Sequence, residues 1–316
     1  MMNKAVPMNN DNPSIPQMIR APFLSSIIAP LITGSLLAAA ITGSLGVPAF
    51  ILVLITGIGL HIATNVYNDI YDTIQGTDKV NVHRNEYSGG SGVLLDRPDL
   101  MKKMYALARS GLMIALITTA ALLIFVNRSL WVYLGGLYLL SAFFSKFYTA
   151  APVKLAYRGM GEISVWFAFG PMAVAIAAVS QNIFPDWRIF LLMPVSGIST
   201  LTILLVGQLI DLDADIKGGK HGVASRVGTR FTAILYIAVQ ILLIVDVAVM
   251  ALLFPGRSWL LLISLLPYVL FFPKTAASII KCHDDPDQLK AVAKSTVQIH
   301  LLFSILLILG FGVYLI

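Results

Sequence analysis

The chain has 316 residues, of which 57% are hydrophobic and 12% are charged, and its formal net charge is +6. A soluble globular domain carries about 25% charged residues, so the composition excludes that class and predicts an all-α membrane protein. The basic excess does not indicate a nucleic-acid partner, because basic residues in a membrane protein first report topology. A single cysteine, Cys282, excludes an intrachain disulfide.

The chain opens on a polar arm, residues 1–20, which lacks the basic-then-apolar pattern of a signal peptide. Apolar stretches of about 20 residues follow, each long enough to cross a bilayer. The predicted spans are 21–43, 48–70, 103–126, 130–148, 160–180, 188–211, 231–253, 258–281 and 294–316. We therefore predict nine transmembrane helices in a single domain, 21–316, embedded in the lipid bilayer.

Lys and Arg residues are distributed unequally between the two sets of loops. Most of them lie on the side that also holds the N-terminus, whereas the opposite loops hold only Arg128, Arg188 and Arg257. Because basic loops stay in the cytoplasm, this bias predicts a cytoplasmic N-terminus.

Two polar clusters end the second and the sixth predicted helix, on the cytoplasmic side. The first is NVYNDIYDTIQGTD, residues 65–78, and the second is GQLIDLDADIKGGKHG, residues 207–222. A carboxylate at the bilayer centre costs about 3 kcal/mol, so acids near membrane depth usually have a function.

The spacing within each cluster places oxygen-bearing side chains on one helix face. Asn65, Asn68 and Asp72 stand at i, i+3 and i+7, and Asp211 and Asp215 stand at i and i+4. Two such faces, opposed across a gap, are typical of a Mg²⁺ and phosphate site, because Mg²⁺ prefers oxygen ligands and takes substrate phosphates. Lys and Arg residues in the adjoining loops would neutralise the remaining phosphate charge. For one cluster alone, a helix end solvated by lipid headgroups is the simpler interpretation; two clusters on the same side favour a site.

The first cluster resembles a motif of the UbiA superfamily of intramembrane prenyltransferases, Asn-Asp-x-x-Asp-x-x-x-Asp. Here Gly76 takes the last position and Asp78 follows it, a variant similar to the 1,4-dihydroxy-2-naphthoate prenyltransferase branch. DLDADIK, residues 211–217, resembles the second motif. Further stretches similar to the same branch are RAPFLSSIIAPLITG (20–34), FYTAAPVKLAYRGMGEISVWFAFGP (147–171) and GKHGVASRVG (219–228).

The resemblance implies Mg²⁺-dependent transfer of a polyprenyl group from polyprenyl diphosphate to an aromatic acceptor, with loss of a carboxyl group when the acceptor is the naphthoate. It also implies a protein of the prokaryotic plasma membrane whose active site faces the cytoplasm. The implied metal ligands are Asn68, Asp72, Asp78, Asp211 and Asp215. The implied catalytic acids are Asp69, Asp72, Asp211 and Asp215. The candidate diphosphate-binding residues are Arg84, Lys154, Arg158, Lys217 and Lys220.

Two other functions stay open at the level of sequence. One is a prenyltransferase of the same superfamily with another acceptor, such as 4-hydroxybenzoate, a glycerol phosphate ether lipid or haem. The other is a transporter with an acid-lined site, which is disfavoured because transporters place polar residues near the midplane rather than at helix ends. His61 and His300, in apolar helices, are interpreted as packing residues, and the glycine-rich segment 86–95 as a lid.

Overall fold

The structure is a computed structural model that describes residues 12–314. Within this range the fold is all-helical, and nine helices are long and apolar enough to cross a membrane, which confirms the predicted number. We label them α1 Ala21–Thr42, α2 Val47–Gln75, α3 Pro98–Leu122, α4 Arg128–Phe147, α5 Gly161–Ser180, α6 Trp187–Ile210, α7 Thr229–Leu253, α8 Ser258–Cys282 and α9 Pro286–Val313. The chain is a multi-pass integral membrane protein.

Three helices form the centre of the bundle. In their most apolar windows, α1, α5 and α6 are 61%, 61% and 67% buried, whereas α3 and α4 are only 28% and 22% buried. The outer helices expose large apolar side chains, such as Ile117 and Val132, to the position that lipid would take. A site between α2, α5 and α6 is therefore shielded from the hydrocarbon phase by protein.

Helix α2 is longer than predicted and carries the first polar cluster inside its last turns. It runs to Gln75 rather than to residue 70, and its 29 residues extend about 43 Å at 1.5 Å per residue. The hydrocarbon core is about 30 Å thick, so the end with Asp72 reaches beyond it. The helix stops at Gly76, whose φ of 88° is left-handed and whose N–H bonds to the carbonyl of Thr73.

Helix α9 begins at Pro286 rather than at residue 294. Asp285 caps it, because its Oδ1 accepts the backbone N–H groups of Asp287 and Gln288, each at 3.1 Å. A proline at the first helical position and an acidic cap are a common helix start, which the hydropathy of the segment does not reveal.

The predicted polar arm, 1–20, falls partly outside the structure, since residues 1–11 lie outside the described residues. Of the remainder, Met18 is 1% exposed and packs in the cluster that contains Ala63 and Val66 of α2. Asn65 also donates its Nδ2–H to the carbonyl of Ile19 at 3.0 Å. The residues immediately before α1 are thus held against the polar end of α2.

Helices α2 and α3 approach closely through one pair of glycines. A Cβ added at Gly59 would lie 2.6 Å from the carbonyl oxygen of Gly111, and a Cβ added at Gly111 would lie 2.6 Å from that of Gly59. A Cβ atom at either position would clash with the facing carbonyl oxygen, so the two backbones can approach this closely only where both residues are glycine. The contact fixes α2, the helix of the first cluster, against its neighbour.

We expect Gly59→Ala to lower the thermal unfolding temperature in detergent, because the new methyl group must push two backbones apart, a cost of about 1–3 kcal/mol. The measurement is thermal unfolding followed by intrinsic fluorescence or by loss of monodispersity. The matched control is Gly136→Ala in α4, where an added Cβ meets nothing within 4 Å. Equal unfolding temperatures for the two variants would contradict the close-packing interpretation.

Candidate active site

The two polar clusters meet at the same end of the bundle around a cavity of about 210 Å³, which we call the chamber. Its walls come from α1, α2, α5 and α6 and from the loops that follow α2, α4 and α6. Six of the predicted metal-ligating and diphosphate-binding residues line it: Asn68, Asp72, Asp78, Asp211, Asp215 and Lys220. Oxygen-bearing side chains of both clusters thus lie around one space.

Asp72 is the most heavily bonded acid of the first cluster. It is 3% exposed; its Oδ1 accepts the hydroxyl of Tyr157 at 2.7 Å and its Oδ2 accepts the Nδ2–H of Asn68 at 3.1 Å. These bonds aim the carboxylate into the chamber. Tyr157 was not among the predicted site residues, and it reaches Asp72 from the loop between α4 and α5.

Lys220 links the two clusters. Its Nζ lies 2.6 Å from Asp72 Oδ2 and 3.9 Å from Asp215 Oδ1, and it sits 5.4 Å from the centre of the Tyr157 ring. Burial alone would lower the pKa of Lys220, but the carboxylates of Asp72 and Asp215 raise it well above its ordinary value. An ammonium ion therefore stands between the acids of the two motifs.

The second cluster is built across a break between two helices. Helix α6 ends at Ile210 and a short helix, Leu212–Gly218, follows, so Asp211 sits at the junction and Asp215 lies one turn later. Asp211 Oδ1 accepts the Nδ2–H of Asn81 at 2.8 Å. Burial raises the pKa of Asp211, and it raises the pKa of Asp215 to about 7 against the opposing effect of Lys220.

Gly76, which departs from the family motif, has a structural consequence. Its left-handed backbone reverses the chain direction, and the next turn brings Asp78 back into the chamber wall, where it is 5% exposed. Thr73 donates its hydroxyl to Asp78 Oδ2 at 3.3 Å. Burial raises the pKa of Asp78 to about 7, with the charges of Asp72 and Asp69 adding to the effect.

Asp69 faces away from the chamber. Both of its carboxylate oxygens accept the backbone N–H of Ser91 at 3.3 Å, and it is 2% exposed. The close approach of Gly90, whose added Cβ would lie 3.1 Å from Asp69 Oδ1, permits this contact. Asp69 thus fastens the glycine-rich segment over the chamber, where Ser88, Gly89 and Gly90 form part of the wall.

Lys220 is the one predicted diphosphate-binding residue that lines the chamber within the described part of the chain. Lys217 and Arg158 are exposed to solvent, and Arg158 donates to the carbonyl of Pro152 at 3.0 Å. Lys154 lies 5.7 Å from the centre of the Tyr157 ring, while Arg84 is tucked against Gly89 and Gly92.

Arg20 lines the chamber, although it was not among the predicted site residues. Its backbone is left-handed with φ 53°, and its guanidinium lies 4.8 Å from the centre of the Phe23 ring. It makes no ion pair with any described residue within 4 Å, in contrast to Lys220. In the sequence Arg20 opens the stretch 20–34 that resembles the prenyltransferase branch, but a lone arginine before an apolar helix carries no spacing pattern from which a role follows.

A second cavity of about 70 Å³ adjoins the chamber on the membrane side and is lined mainly by apolar side chains of α1, α2, α4 and α5. The two cavities share five wall residues: His61, Thr64, Tyr148, Val165 and Phe169. We call this second space the apolar cavity. Phe169 is thus a wall residue, whereas Trp166 packs against the core of the bundle.

The donor set of the chamber suits a hard cation. No three His, Cys, Asp or Glu side chains in the described part of the chain are gathered as ready metal ligands. Instead, a carboxylate of each cluster lies near the Lys220 ammonium, Asp72 at 2.6 Å and Asp215 at 3.9 Å, and these residues would help to hold a divalent cation. Carboxylate and amide oxygens are the ligands that Mg²⁺ prefers, so the residues fit this ion.

Comparison with known proteins identifies relatives whose amino-acid sequences are similar to that of this chain. A 2-carboxy-1,4-naphthoquinone phytyltransferase of Synechocystis sp. is 29% identical over 167 residues, 52% of this chain and 53% of that protein. A 1,4-dihydroxy-2-naphthoate octaprenyltransferase of Mycobacterium leprae is 27% identical over 209 residues, 66% of this chain and 67% of that protein. The match to the first of these relatives therefore spans about half of its length.

The fold is similar to that of a UbiA homologue from Archaeoglobus fulgidus bound to DMAPP and Mg²⁺, with a TM-score of 0.56, 13% identity, and coverage of 92% of this chain and 98% of that one. Residues 27–302 match the model of the UbiA prenyltransferase family. This range contains both polar clusters and most of the nine helices, and on this evidence the chain belongs to the UbiA prenyltransferase family.

Proposed function

We propose that this protein transfers a polyprenyl group from polyprenyl diphosphate to 1,4-dihydroxy-2-naphthoate with Mg²⁺ as cofactor. The observation that carries the proposal is the pair of opposed carboxylate clusters around a cation, with an apolar cavity opening directly beside them. Two relatives bear names of enzymes acting on naphthoate-type acceptors. The similarly folded A. fulgidus homologue bound a prenyl diphosphate and Mg²⁺.

The metal would be held by the oxygen donors that line the chamber. These are Asn68, Asp72 and Asp78 from the first cluster and Asp211 and Asp215 from the second. Bound Mg²⁺ would neutralise the charge that develops on the diphosphate as it leaves. Asp69 would act indirectly, by fastening the glycine-rich segment that covers the chamber.

Lys220 would exchange partners when metal and substrate bind. In the structure its ammonium neutralises Asp72 and Asp215. With those carboxylates engaged by a divalent cation, the Lys220 ammonium would turn to the diphosphate and would help to stabilise its charge as the carbon–oxygen bond breaks. We assign Arg84, Lys154, Arg158 and Lys217 to the basic rim that attracts the anionic substrate, because none of them lines the chamber.

The apolar cavity would receive the first part of the prenyl chain. Its wall includes Leu31, Leu60, Phe144 and Met172, which offer no hydrogen-bond partner to water. Exclusion of water protects an allylic cation, which would otherwise be hydrolysed.

Arg20 is our candidate for holding the acceptor. It is a chamber-lining cation without an ion pair to a described residue, and a guanidinium binds a carboxylate through two parallel hydrogen bonds. A naphthoate has such a carboxylate beside its hydroxyl group. The sidedness of the basic loops places this site toward the cytoplasm of a prokaryotic cell in our proposal.

The function is tested with purified protein, geranylgeranyl diphosphate and 1,4-dihydroxy-2-naphthoate, with Mg²⁺ or with EDTA. We expect a decarboxylated prenyl-naphthol in the Mg²⁺ sample only, detected by mass spectrometry. Asp72→Asn and Asp211→Asn should each lower turnover by about 100-fold or more, because each removes an anionic ligand without changing side-chain size.

The matched control is Asp213→Asn, which lies in the second cluster but is exposed, and which should keep wild-type turnover. Product formation by both motif variants at the wild-type rate would refute the metal assignment. Diphosphate release with 4-hydroxybenzoate but not with the naphthoate would refute the acceptor while leaving the reaction type in place.

Lys220→Met should destabilise the Mg²⁺-free protein, because Asp72 and Asp215 would lose their counter-ion in a buried site. Removal of one partner from a buried ion pair costs about 3–5 kcal/mol. We expect a lower unfolding temperature without Mg²⁺ and a larger rise on addition of Mg²⁺ than the wild type gives. Lys217→Met, which changes an exposed lysine in the short helix that precedes Lys220, is the control, and an equal response of the two variants would contradict this role.

Arg20→Gln should raise KM for the naphthoate by about tenfold or more, because a charge-assisted bond to its carboxylate is lost. KM for geranylgeranyl diphosphate should stay at the wild-type value. Arg109→Gln serves as the control, since that guanidinium lies 5.8 Å from the centre of the Tyr105 ring. Arg20 would lose its assignment if the two KM values rose together.

A further inference from the structure

His61 has an unusual environment for a buried polar side chain. It lies in α2, is 5% exposed, and neither ring nitrogen has a hydrogen-bond partner among the described residues. A buried polar group without a partner costs about 1–3 kcal/mol. The other buried intramembrane histidine, His300, is bonded through Nδ1 to Ser199 Oγ at 2.8 Å, so the lack of any partner is specific to His61.

The hydroxyl groups of Thr64 and Ser145, near His61, do have hydrogen-bond partners. Thr64 donates to the carbonyl of Leu60 at 2.8 Å and lies 2.9 Å from Ser145 Oγ. Ser145 in turn lies 3.2 Å from the same Leu60 carbonyl. Thr64 and Ser145 therefore have hydrogen-bond partners, whereas the imidazole beside them has none among the described residues.

The position of His61 identifies what it faces. It lines both the chamber and the apolar cavity, and its ring packs edge-on against Phe169 with centroids 5.2 Å apart. A prenyl diphosphate bound with its diphosphate in the chamber and its tail in the apolar cavity passes the wall that the two spaces share, and His61 is part of that wall. His61 and Asp72 are about 16 Å apart along the helix axis, so His61 lies on the side of the chamber away from the acids, where an acceptor would approach the first prenyl carbon opposite the diphosphate.

The chemistry of the imidazole selects the ligand. A neutral imidazole offers one N–H donor and one acceptor nitrogen, which matches a phenolic hydroxyl and gives no net charge to hold a phosphate. The aspartates that line the chamber already contact Lys220, Asn81 or neighbouring side chains. His61 is thus a neutral base whose nitrogens have no hydrogen-bond partner among the described residues, on the side of the chamber away from the acids.

We propose that His61 binds the acceptor hydroxyl next to the attacking ring carbon and takes its proton as the ring attacks; this inference rests on the proposed function. The bond from the first prenyl carbon to oxygen breaks, and its electron pair leaves with diphosphate. The new carbon–carbon bond forms, the hydroxyl proton moves to the imidazole, and the hydroxyl carbon becomes a ring ketone.

The same proton then returns. With a naphthoate acceptor, the ketone lies next to the carbon that bears the carboxylate. Loss of CO₂ sends the electron pair of the broken bond to the ketone oxygen, which takes the proton back from the imidazolium and restores the aromatic hydroxyl. The cycle needs no external acid or base, because the imidazole of His61 returns the proton that it took. This suits a side chain that is buried away from water.

The test compares His61→Gln and His61→Phe with the wild type. Glutamine keeps a donor and an acceptor but cannot take the proton, so we expect its acceptor KM to stay near wild type and its kcat to fall by about 100-fold or more. Phenylalanine removes the hydrogen bond as well and should also raise the acceptor KM. His300→Gln is the control for loss of a buried histidine and should keep wild-type kcat.

A second measurement separates this role from a structural one. Both His61 variants should bind geranylgeranyl thiolodiphosphate with Mg²⁺ as tightly as the wild type, because the diphosphate ligands are unchanged. Wild-type kcat in His61→Gln, or loss of analogue binding in both variants, would overturn the inference. Absence of product from the wild-type protein with any phenolic acceptor would instead count against the proposed function.

Discussion

The site depends on the neutralisation of several carboxylates that the helix bundle holds close together near the membrane surface. Asp72 and Asp215 come from helices far apart in sequence, and both are removed from bulk water. Like charges in such a position would repel the two helices, and the ammonium of Lys220 offsets this repulsion at 2.6 and 3.9 Å. The fold of the protein without metal and the function that we propose therefore rely on the same electrostatic arrangement, since any bound divalent cation must replace a charge that is already present.

Further hydrogen bonds hold the acids of both clusters and the loop of Lys220 in place. Tyr157 and Asn68 orient Asp72 from the side of the first cluster, and Asn81 orients Asp211 from the loop above. Below the second cluster, Glu162 accepts the side-chain N–H of Gln208 at 2.7 Å and the backbone N–H of Val223 at 2.6 Å. These bonds fix the loop that carries Lys220 without adding a further acid to the chamber wall.

The predictions that succeeded rest on local regularities of the sequence. Spans follow from runs of apolar residues, and the shared face of Asn65, Asn68 and Asp72 follows from helical spacing, so both could be read without tertiary information. Helix ends were less certain: Pro286 starts α9 through a cap, and α2 continues past residue 70 because polar residues can extend a helix beyond the hydrocarbon core.

The loops and single residues were harder to predict for a physical reason. Asp69 lies only about 60° around the helix from Asp72, so spacing alone places both near one face, yet Asp69 meets the backbone of Ser91 instead of lining the chamber. The positions of Lys154, Arg158 and Lys217 depend on loop paths set by tertiary contacts. Arg20 belongs to no periodic pattern, whereas His61 continues the face of Asn65, Asn68 and Asp72 at i, i+4, i+7 and i+11. Only the packed structure shows that both residues line a cavity.

Helix α2 also fixes the distances between the polar side chains along its length. His61, Asn65, Asn68 and Asp72 all lie on one uninterrupted helix, so the axial separation between His61 and Asp72 is fixed at about 16 Å by helix geometry. Substitutions along this stretch change one side chain at a time, but an inserted or deleted residue would turn everything beyond it by about 100° and move it 1.5 Å along the axis. A change of length in this segment would therefore displace Asp72 relative to His61 in both angle and height, which a substitution does not do.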